Sequence, residues 1–374
     1  MSSLARRGTR LRLGAAFASP PAASRDPGRV ARADPPGSVP RESPHPRWVR
    51  AAATSARDAA ASRSSSWDGW AATVTERDVE RALRRVNRRI LGGIVEMPKA
   101  SRCLERNWNW EEATRESLSI ASQETRERRG TLIFLHGFSD EAEHWKELAE
   151  LLVRGVPGGC DLILPRAPSH PFLVGGEERD VTAWFEPRLR QTLAPDESRT
   201  SWNCGGIEPA VRWISMLIAE QEARGAAPGS VLLAGFSQGA GLAMAVAAAE
   251  TAWTPALGGV LCLRGYLPVR AKHAEASTER EQNLNHERGT VPAGVRRAPP
   301  PALLCQGGRD VVAPREWAQV AADALRAQRK SQGAGRNESR VELLVSEDRG
   351  HDLGADEVWR ARWWVRSRLE RALG

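Results

Sequence analysis

The run from Val231 to Ala249, VLLAGFSQGAGLAMAVAAA, contains no charged residue and restricts the folding of this chain more than any other feature. Its length approaches the roughly 20 apolar residues of a membrane-spanning helix. Ser237 and Gln238 nevertheless interrupt it, among Gly235, Gly239 and Gly241. Glycines at such spacing mark a place where the backbone must turn tightly or approach closely. The run therefore reads as a buried strand that turns sharply into a buried helix.

From about Arg126 onward the chain supplies the layers that such a pair needs. Apolar strand candidates at 131–136, 161–164, 230–235, 259–263, 302–306 and 341–345 alternate with helical stretches at 141–153, 208–223, 240–251, 316–329 and 356–373. Short apolar strands separated by helices predict an α/β domain, a mainly parallel central sheet with helices on both faces. With 374 residues the chain is long enough to bury one large core. The predicted organisation is a disordered Arg/Ala/Ser/Pro-rich extension over 1–77, a linker with one helix over 78–125, and the folded α/β domain over 126–374. Val79, Leu83, Val86 and Ile90 fall on one face of that helix. A charged, Arg/Glu/Asn-rich stretch at 271–301 is too polar for a core element and reads as a surface insert, with His273 and His286 solvated in it.

The first 25 residues hold five arginines, several serines and no acid. That pattern suits an organelle transit peptide, and equally a disordered tail of biased composition. The formal net charge is +8, and 50 of the 54 basic residues are arginine. The arginines are spread along the chain with acids among them, which is composition bias rather than a nucleic-acid-binding patch. Five cysteines without CxxC spacing or a paired histidine indicate neither a zinc site nor a disulfide framework, so no metal is expected.

Gly235-Phe236-Ser237-Gln238-Gly239 fits G-x-S-x-G, preceded by an apolar strand and followed by a small-residue helix. A tight strand-to-helix turn lifts a serine Oγ above the sheet edge, and the helix N-terminus beneath it favours negative charge. Ser237 is the candidate nucleophile. About 100 residues earlier, the apolar strand Leu132 to Leu135 ends in His136-Gly137-Phe138-Ser139-Asp140. In a hydrolase of this fold a loop after an early strand supplies one backbone N–H to the oxyanion hole, and the residue after the nucleophile supplies the other. Those donors are predicted to be Phe138 and Gln238, with His136 a structural residue that pins the loop.

The acid and base should follow the nucleophile, in that order, after later strands. The strand at 302–306 leads through Gly307-Gly308-Arg309 to Asp310, just before a helix that Pro314 helps to start. The strand at 341–345 leads to Gly350-His351. The predicted triad is thus Ser237, Asp310 and His351, with Asp348 and Asp352 as alternative acids.

These motifs resemble those of the phospholipase/carboxylesterase family of α/β-hydrolases, which includes the acyl-protein thioesterases. The likeness runs from about Thr131 to the C-terminus and rests on LHGFSD (135–140), Trp145, LPRAPSHP (164–171), Trp184-Phe185, GFSQG (235–239), GYLP (265–268), GGRDVVAP (307–314) and Gly350-His351. Ser139 stands where the family usually has Gly, Gln306 where a His often precedes the turn to the acid, and the insert at 271–301 is longer than expected. The resemblance implies a cofactor-free serine hydrolase of carboxylic esters and S-acyl groups on protein cysteines. It implies substrate contacts near Phe138, Leu173, Val174, Trp184 and Leu267. The expected partner is an acylated protein or a small ester or thioester, with no nucleic acid and no transmembrane segment; peripheral membrane contact and oligomeric state stay open. The expected compartment is the cytoplasm, or a plastid or mitochondrion if the extension is a transit peptide. A carboxylesterase without a protein substrate, a catalytically silent binding protein and a peptidase are the alternatives.

Overall fold

The computed structural model describes residues 73–96, 101–103, 110, 117–122, 130–174, 177–186, 206–249, 257–268, 299–331 and 341–374. The extension before residue 73 and all but the last three residues of the 271–301 insert lie outside the described residues. The strands are β1 (Ser101–Cys103), β2 (Leu118–Ile120), β3 (Gly130–Leu135), β4 (Cys160–Leu164), β5 (Ser169–Val174), β6 (Glu177–Thr182), β7 (Val231–Phe236), β8 (Leu257–Leu263), β9 (Ala302–Gly307) and β10 (Val341–Ser346). The helices of more than one turn are α1 (Glu76–Glu96), α2 (Ala142–Val153), α3 (Ile207–Ala223), α4 (Gln238–Ala248), α5 (Arg315–Ser331) and α6 (Ala355–Leu373).

Among the described residues seven strands form the main sheet, in the order β10-β9-β8-β7-β3-β4-β2. Its neighbours are parallel except for the short edge strand β2, which runs antiparallel to β4. Strands β3, β7 and β9 are buried along their whole length, which is why they read as unbroken apolar runs rather than alternating ones. Successive side chains point to opposite faces. Ile133, Leu135, Leu233, Val260, Cys262 and Leu304 join the cluster formed with α3, α4 and α5. On the alternate positions, Phe134 stacks on Trp145 of α2 at 5.2 Å, and Trp145 meets Phe236 at 4.6 Å. Every residue of α4 is buried, which accounts for the missing charges in the opening run.

Helix α1 packs on α2 and α6, so part of the segment expected as a linker belongs to the folded body. Val79, Leu83, Val86 and Ile90 are all buried, as the stripe requires, and Ala82 joins them. Each of the four larger side chains contributes about 1.5–3 kcal/mol relative to exposure, enough for the stripe to seek a partner surface. A second difference from expectation is the small antiparallel sheet β1-β5-β6. Val174 pairs with Glu177 across Gly175-Gly176. Two strand-length arms about a Gly-Gly pair are a hairpin signal, masked here by the exposed charges Glu177 to Asp180.

The chain leaves β3 for β4 on one side and later enters β7 on the other, so the strand order reverses between β3 and β7. Open α/β sheets bind ligands outside the carboxyl ends of their strands at such a point. Loops after β3, β7, β9 and β10 all emerge at that edge. This is the α/β-hydrolase fold.

Candidate active site

β7 ends at Phe236 and α4 begins at Gln238, leaving Ser237 alone to make the turn. Its φ of 52° and ψ of −115° lie in a region that costs a non-glycine residue about 1–3 kcal/mol. The surroundings hold it there: its N–H donates to the Leu263 carbonyl at 2.8 Å, and its carbonyl accepts from Gly241 at 3.0 Å. A Cβ on Gly235 would stand 2.4 Å from the Gly239 backbone, and one on Gly239 would stand 2.3 Å from the Leu135 carbonyl oxygen. Both contacts are with backbone, so only glycine fits at either place.

His351 Nε2 lies 3.0 Å from Ser237 Oγ, and His351 Nδ1 lies 2.7 Å from Asp310 Oδ2. With Asp310 ionised, the hydrogen-bond network assigns the proton to Nδ1, which leaves the Nε2 lone pair facing the serine. The Asp310 side chain is fully buried, and its two oxygens have separate tasks. Oδ1 accepts the backbone N–H groups of Val312 and Ala313, whereas Oδ2 accepts from His351 and from Gln306 Nε2 at 3.2 Å. Gln306 also donates to the Ala313 carbonyl, tying the whole turn together. Asp352 turns instead to Arg349 and the Gly350 N–H, and Asp348 is exposed.

Beside the serine, a Cβ built on Gly137 would be 3.6 Å from Ser237 Cβ, so the loop after β3 lies directly against Ser237. His136 Nδ1 donates to the Gly137 carbonyl at 2.7 Å, and its Nε2 accepts the Ala167 N–H at 2.9 Å. Burial pushes this imidazole below the usual histidine range, which keeps it neutral and structural. Ser139 adopts φ 56°, the left-handed conformation that explains a glycine preference there, and donates to the Thr182 carbonyl at 2.8 Å. Asp140 accepts from Trp145 Nε1 at 2.7 Å and from its own helix start at Glu141. Gln238 is the first residue of α4, so its N–H has no acceptor within the helix. Its side chain spans to the Trp184 N–H and the Phe185 carbonyl.

The expected substrate contacts fall in different settings. Trp184 is fully enclosed, with its indole N–H on the His136 carbonyl at 2.8 Å, so it braces the loop after β3 instead of presenting an open face. Leu173 and Val174 lie on strand β5 and not in a loop. Leu267 is buried within the large core cluster. Phe138 is half-buried and meets Phe172 edge-on at 5.4 Å.

Sequence reasoning missed the group that fixes the histidine loop from below. Arg264, wholly buried, donates to the carbonyls of Gly350 and Asp352 on either side of His351 and forms a bidentate pair with Glu357 at 2.7 Å. Glu357 also accepts from Ser346 Oγ and the Gly354 N–H. A charged residue closing an otherwise apolar strand was the available signal. Glu357→Ala leaves a buried guanidinium unpaired and should cost about 3–5 kcal/mol, read as a lowered urea midpoint. A loss below 1 kcal/mol would contradict this account of the pair.

His170 on β5 is buried, and burial lowers its pKa to about 4 despite the opposing charge of Asp180. The unfolded chain titrates near 6.5 and takes up the proton first. Stability should therefore be level above about pH 7 and fall between about pH 6.5 and 4. Urea midpoints across that range should show the slope, and His170→Gln should reduce it; an unchanged slope would assign the loss to other groups.

Among the described residues no group of three His, Cys, Asp or Glu side chains is placed to hold a metal ion. Cys160, Cys262 and Cys305 are buried, and burial pushes their thiols well up, away from the reactive thiolate.

The phospholipase/carboxylesterase family profile matches residues 116–288. Acyl-protein thioesterase 1 homolog 1 of Dictyostelium discoideum is 24% identical over 241 residues, covering 64% of this chain and 91% of that protein. Acyl-protein thioesterase 1 of Saccharomyces cerevisiae is 30% identical over 145 residues, covering 38% of this chain and 60% of that protein, which is under two thirds of its length. The crystal structure of Zea mays acyl-protein thioesterase 2 aligns with a TM-score of 0.47 at 26% identity, over 68% of this chain and 98% of that one. The strand-to-helix turn at Ser237 lies inside the matched segment, and over that segment this chain is similar to the phospholipase/carboxylesterase family of α/β-hydrolases.

Proposed function

We propose that this protein is a serine hydrolase of carboxylic esters and S-acyl thioesters, including acyl groups carried on protein cysteines. The observation that carries the proposal is the relay from Asp310 through His351 to Ser237, with contacts of 2.7 and 3.0 Å. Ser237 Oγ attacks the acyl carbonyl while His351 Nε2 takes its proton. The carbonyl oxygen becomes an anion held by the backbone N–H groups of Phe138 and Gln238. His351 then returns the proton to the leaving alcohol or thiol, and the acyl group stays on Ser237. Water, deprotonated by His351, releases the carboxylic acid and restores the serine. Asp310 holds the imidazole in its productive tautomer and stabilises the imidazolium. The reaction draws on no cofactor.

An acylated protein as substrate is supported by the names of the related thioesterases, and small esters by the family description. The acyl chain in this reading runs past Phe138 and the segment around Leu173, Val174 and Leu267. The catalytic body comprises 126–374 with α1 packed on it. No helix among the described residues is long and apolar enough to cross a membrane. The proposed compartment is the cytoplasm, or an organelle if residues 1–25 act as a transit peptide; a fluorescent fusion with and without them separates the two.

A panel of p-nitrophenyl esters and acyl-peptide thioesters of varied chain length tests the substrate class. The proposal expects turnover of both, with kcat/KM depending on chain length. Turnover of esters alone would leave a carboxylesterase without a protein substrate, and turnover of neither would end the proposal.

A further inference from the structure

Helix α1 lies before the segment that matches the family and is absorbed by no step of the mechanism, yet it touches both halves of the site. Val79, Ala82, Leu83, Val86 and Ile90 form the stripe that seats it. Positions 87 and 89 are two residues apart, about 200° around a helix of 3.6 residues per turn, so their side chains leave opposite flanks of that stripe. Asn87 makes a reciprocal pair with the Leu353 backbone: its Nδ2 donates to the carbonyl at 2.8 Å and its Oδ1 accepts the N–H at 2.9 Å. Leu353 is two residues beyond His351. Arg89 donates to the Ser139 carbonyl at 2.7 Å and to Asp140 Oδ1 at 3.4 Å. Ser139 follows Phe138, the proposed oxyanion donor. On the same helix Arg81 Nε donates to Glu147 of α2 at 2.6 Å, which fixes α1 along its axis.

We propose that α1 is a strut that sets the distance between the base and the oxyanion donors, with Asn87 positioning the His351 loop and Arg89 positioning the loop of Phe138. The inference rests on the serine-hydrolase reading above. A side-chain amide that satisfies both the N–H and the carbonyl of one residue holds the two peptide units flanking that residue, fixing its position and orientation together. Ser139 sits in the left-handed region, where a non-glycine backbone gains from an added restraint on its carbonyl. Misplacing a catalytic group by about 1 Å can cost on the order of 100-fold in rate. The two loops come from opposite ends of the domain sequence, and α1 bridges them without touching either catalytic side chain.

Asn87→Ala, Arg89→Ala, Arg89→Lys and the exposed control Arg85→Ala test the strut in the full chain. Measurements are kcat and KM on p-nitrophenyl acetate across pH, the rate of inactivation by a fluorophosphonate, and the thermal midpoint. Asn87→Ala and Arg89→Ala should each lose roughly tenfold in kcat with KM within about twofold, by the same positional argument. Asn87→Ala acts through the base and should move the acidic limb of the kcat/KM profile. Arg89→Ala acts through the oxyanion loop and should lower the profile without moving it, and Arg89→Lys, which keeps one donor, should recover part of the loss. Arg85→Ala should match the parent protein. Kinetics within twofold of the parent for Asn87→Ala and Arg89→Ala would overturn the proposal, as would equal losses from all four variants in step with the thermal midpoint. If Ser237→Ala were fully active, the hydrolase reading itself would fall; if it were inactive while the α1 variants stayed normal, only the strut would fall.

Discussion

Ser237→Ala should lower kcat by about five to six powers of ten while the protein stays folded, the loss that follows when a serine hydrolase is left with its oxyanion hole and binding contacts but no nucleophile. The fold should survive because the turn is held by backbone groups, the Ser237 N–H on Leu263 and the Ser237 carbonyl on Gly241, and alanine retains both. Alanine also keeps the Cβ already accommodated at φ 52°. Hydrolysis of p-nitrophenyl acetate, measured beside the thermal midpoint, separates lost chemistry from lost structure. Activity within tenfold of the parent in a folded variant would remove Ser237 from the mechanism.

The second large effect is expected from Asp310→Asn, with a fall of roughly four powers of ten in kcat. The surroundings dictate how the new amide sits. Two backbone N–H groups, from Val312 and Ala313, point at the Oδ1 position and require an acceptor, so the amide oxygen goes there. The NH2 group then replaces Oδ2 and faces His351 Nδ1. The imidazole must accept at Nδ1 and carry its proton on Nε2, aimed at the serine it should deprotonate. Gln306 Nε2 adds to the mismatch, since it donates to the same position. His351→Ala should match the loss of the serine, whereas Asp352→Asn should stay near parent activity because that carboxylate is engaged with Arg349 and Gly350. A large loss in Asp352→Asn and none in Asp310→Asn would reassign the acid.

What the sequence revealed follows from how local each signal is. The inner strands β3, β7 and β9 could be read directly, because burial on both faces leaves unbroken apolar runs. The turn at Ser237 was legible from its glycines, since only glycine fits against the backbone at 235 and 239. Ser139 and Gln306 could be identified as departures from the family pattern. Their accommodation depends on the fold: Ser139 tolerates a left-handed backbone, and Gln306 donates to Asp310 Oδ2. Apart from the charge that closes β8 at Arg264, the clamps on the histidine loop left no pattern, because their partners are distant in sequence. Arg264 pairs with Glu357 across 93 residues, and Asn87 pairs with Leu353 across 266. An apolar stripe announced helix α1, yet nothing in a stripe names the surface that receives it.

Covalent labelling by a fluorophosphonate, followed by peptide mass spectrometry, tests the central claim most directly. Such a reagent phosphonylates a serine whose proton is taken by an adjacent base and whose oxyanion is stabilised, so it reports the assembled site in one step. The account predicts a single adduct on the peptide carrying Ser237, absent in Ser237→Ala and formed far more slowly in His351→Ala and Asp310→Asn. No adduct on the folded parent protein, or an adduct on a different serine, would contradict it.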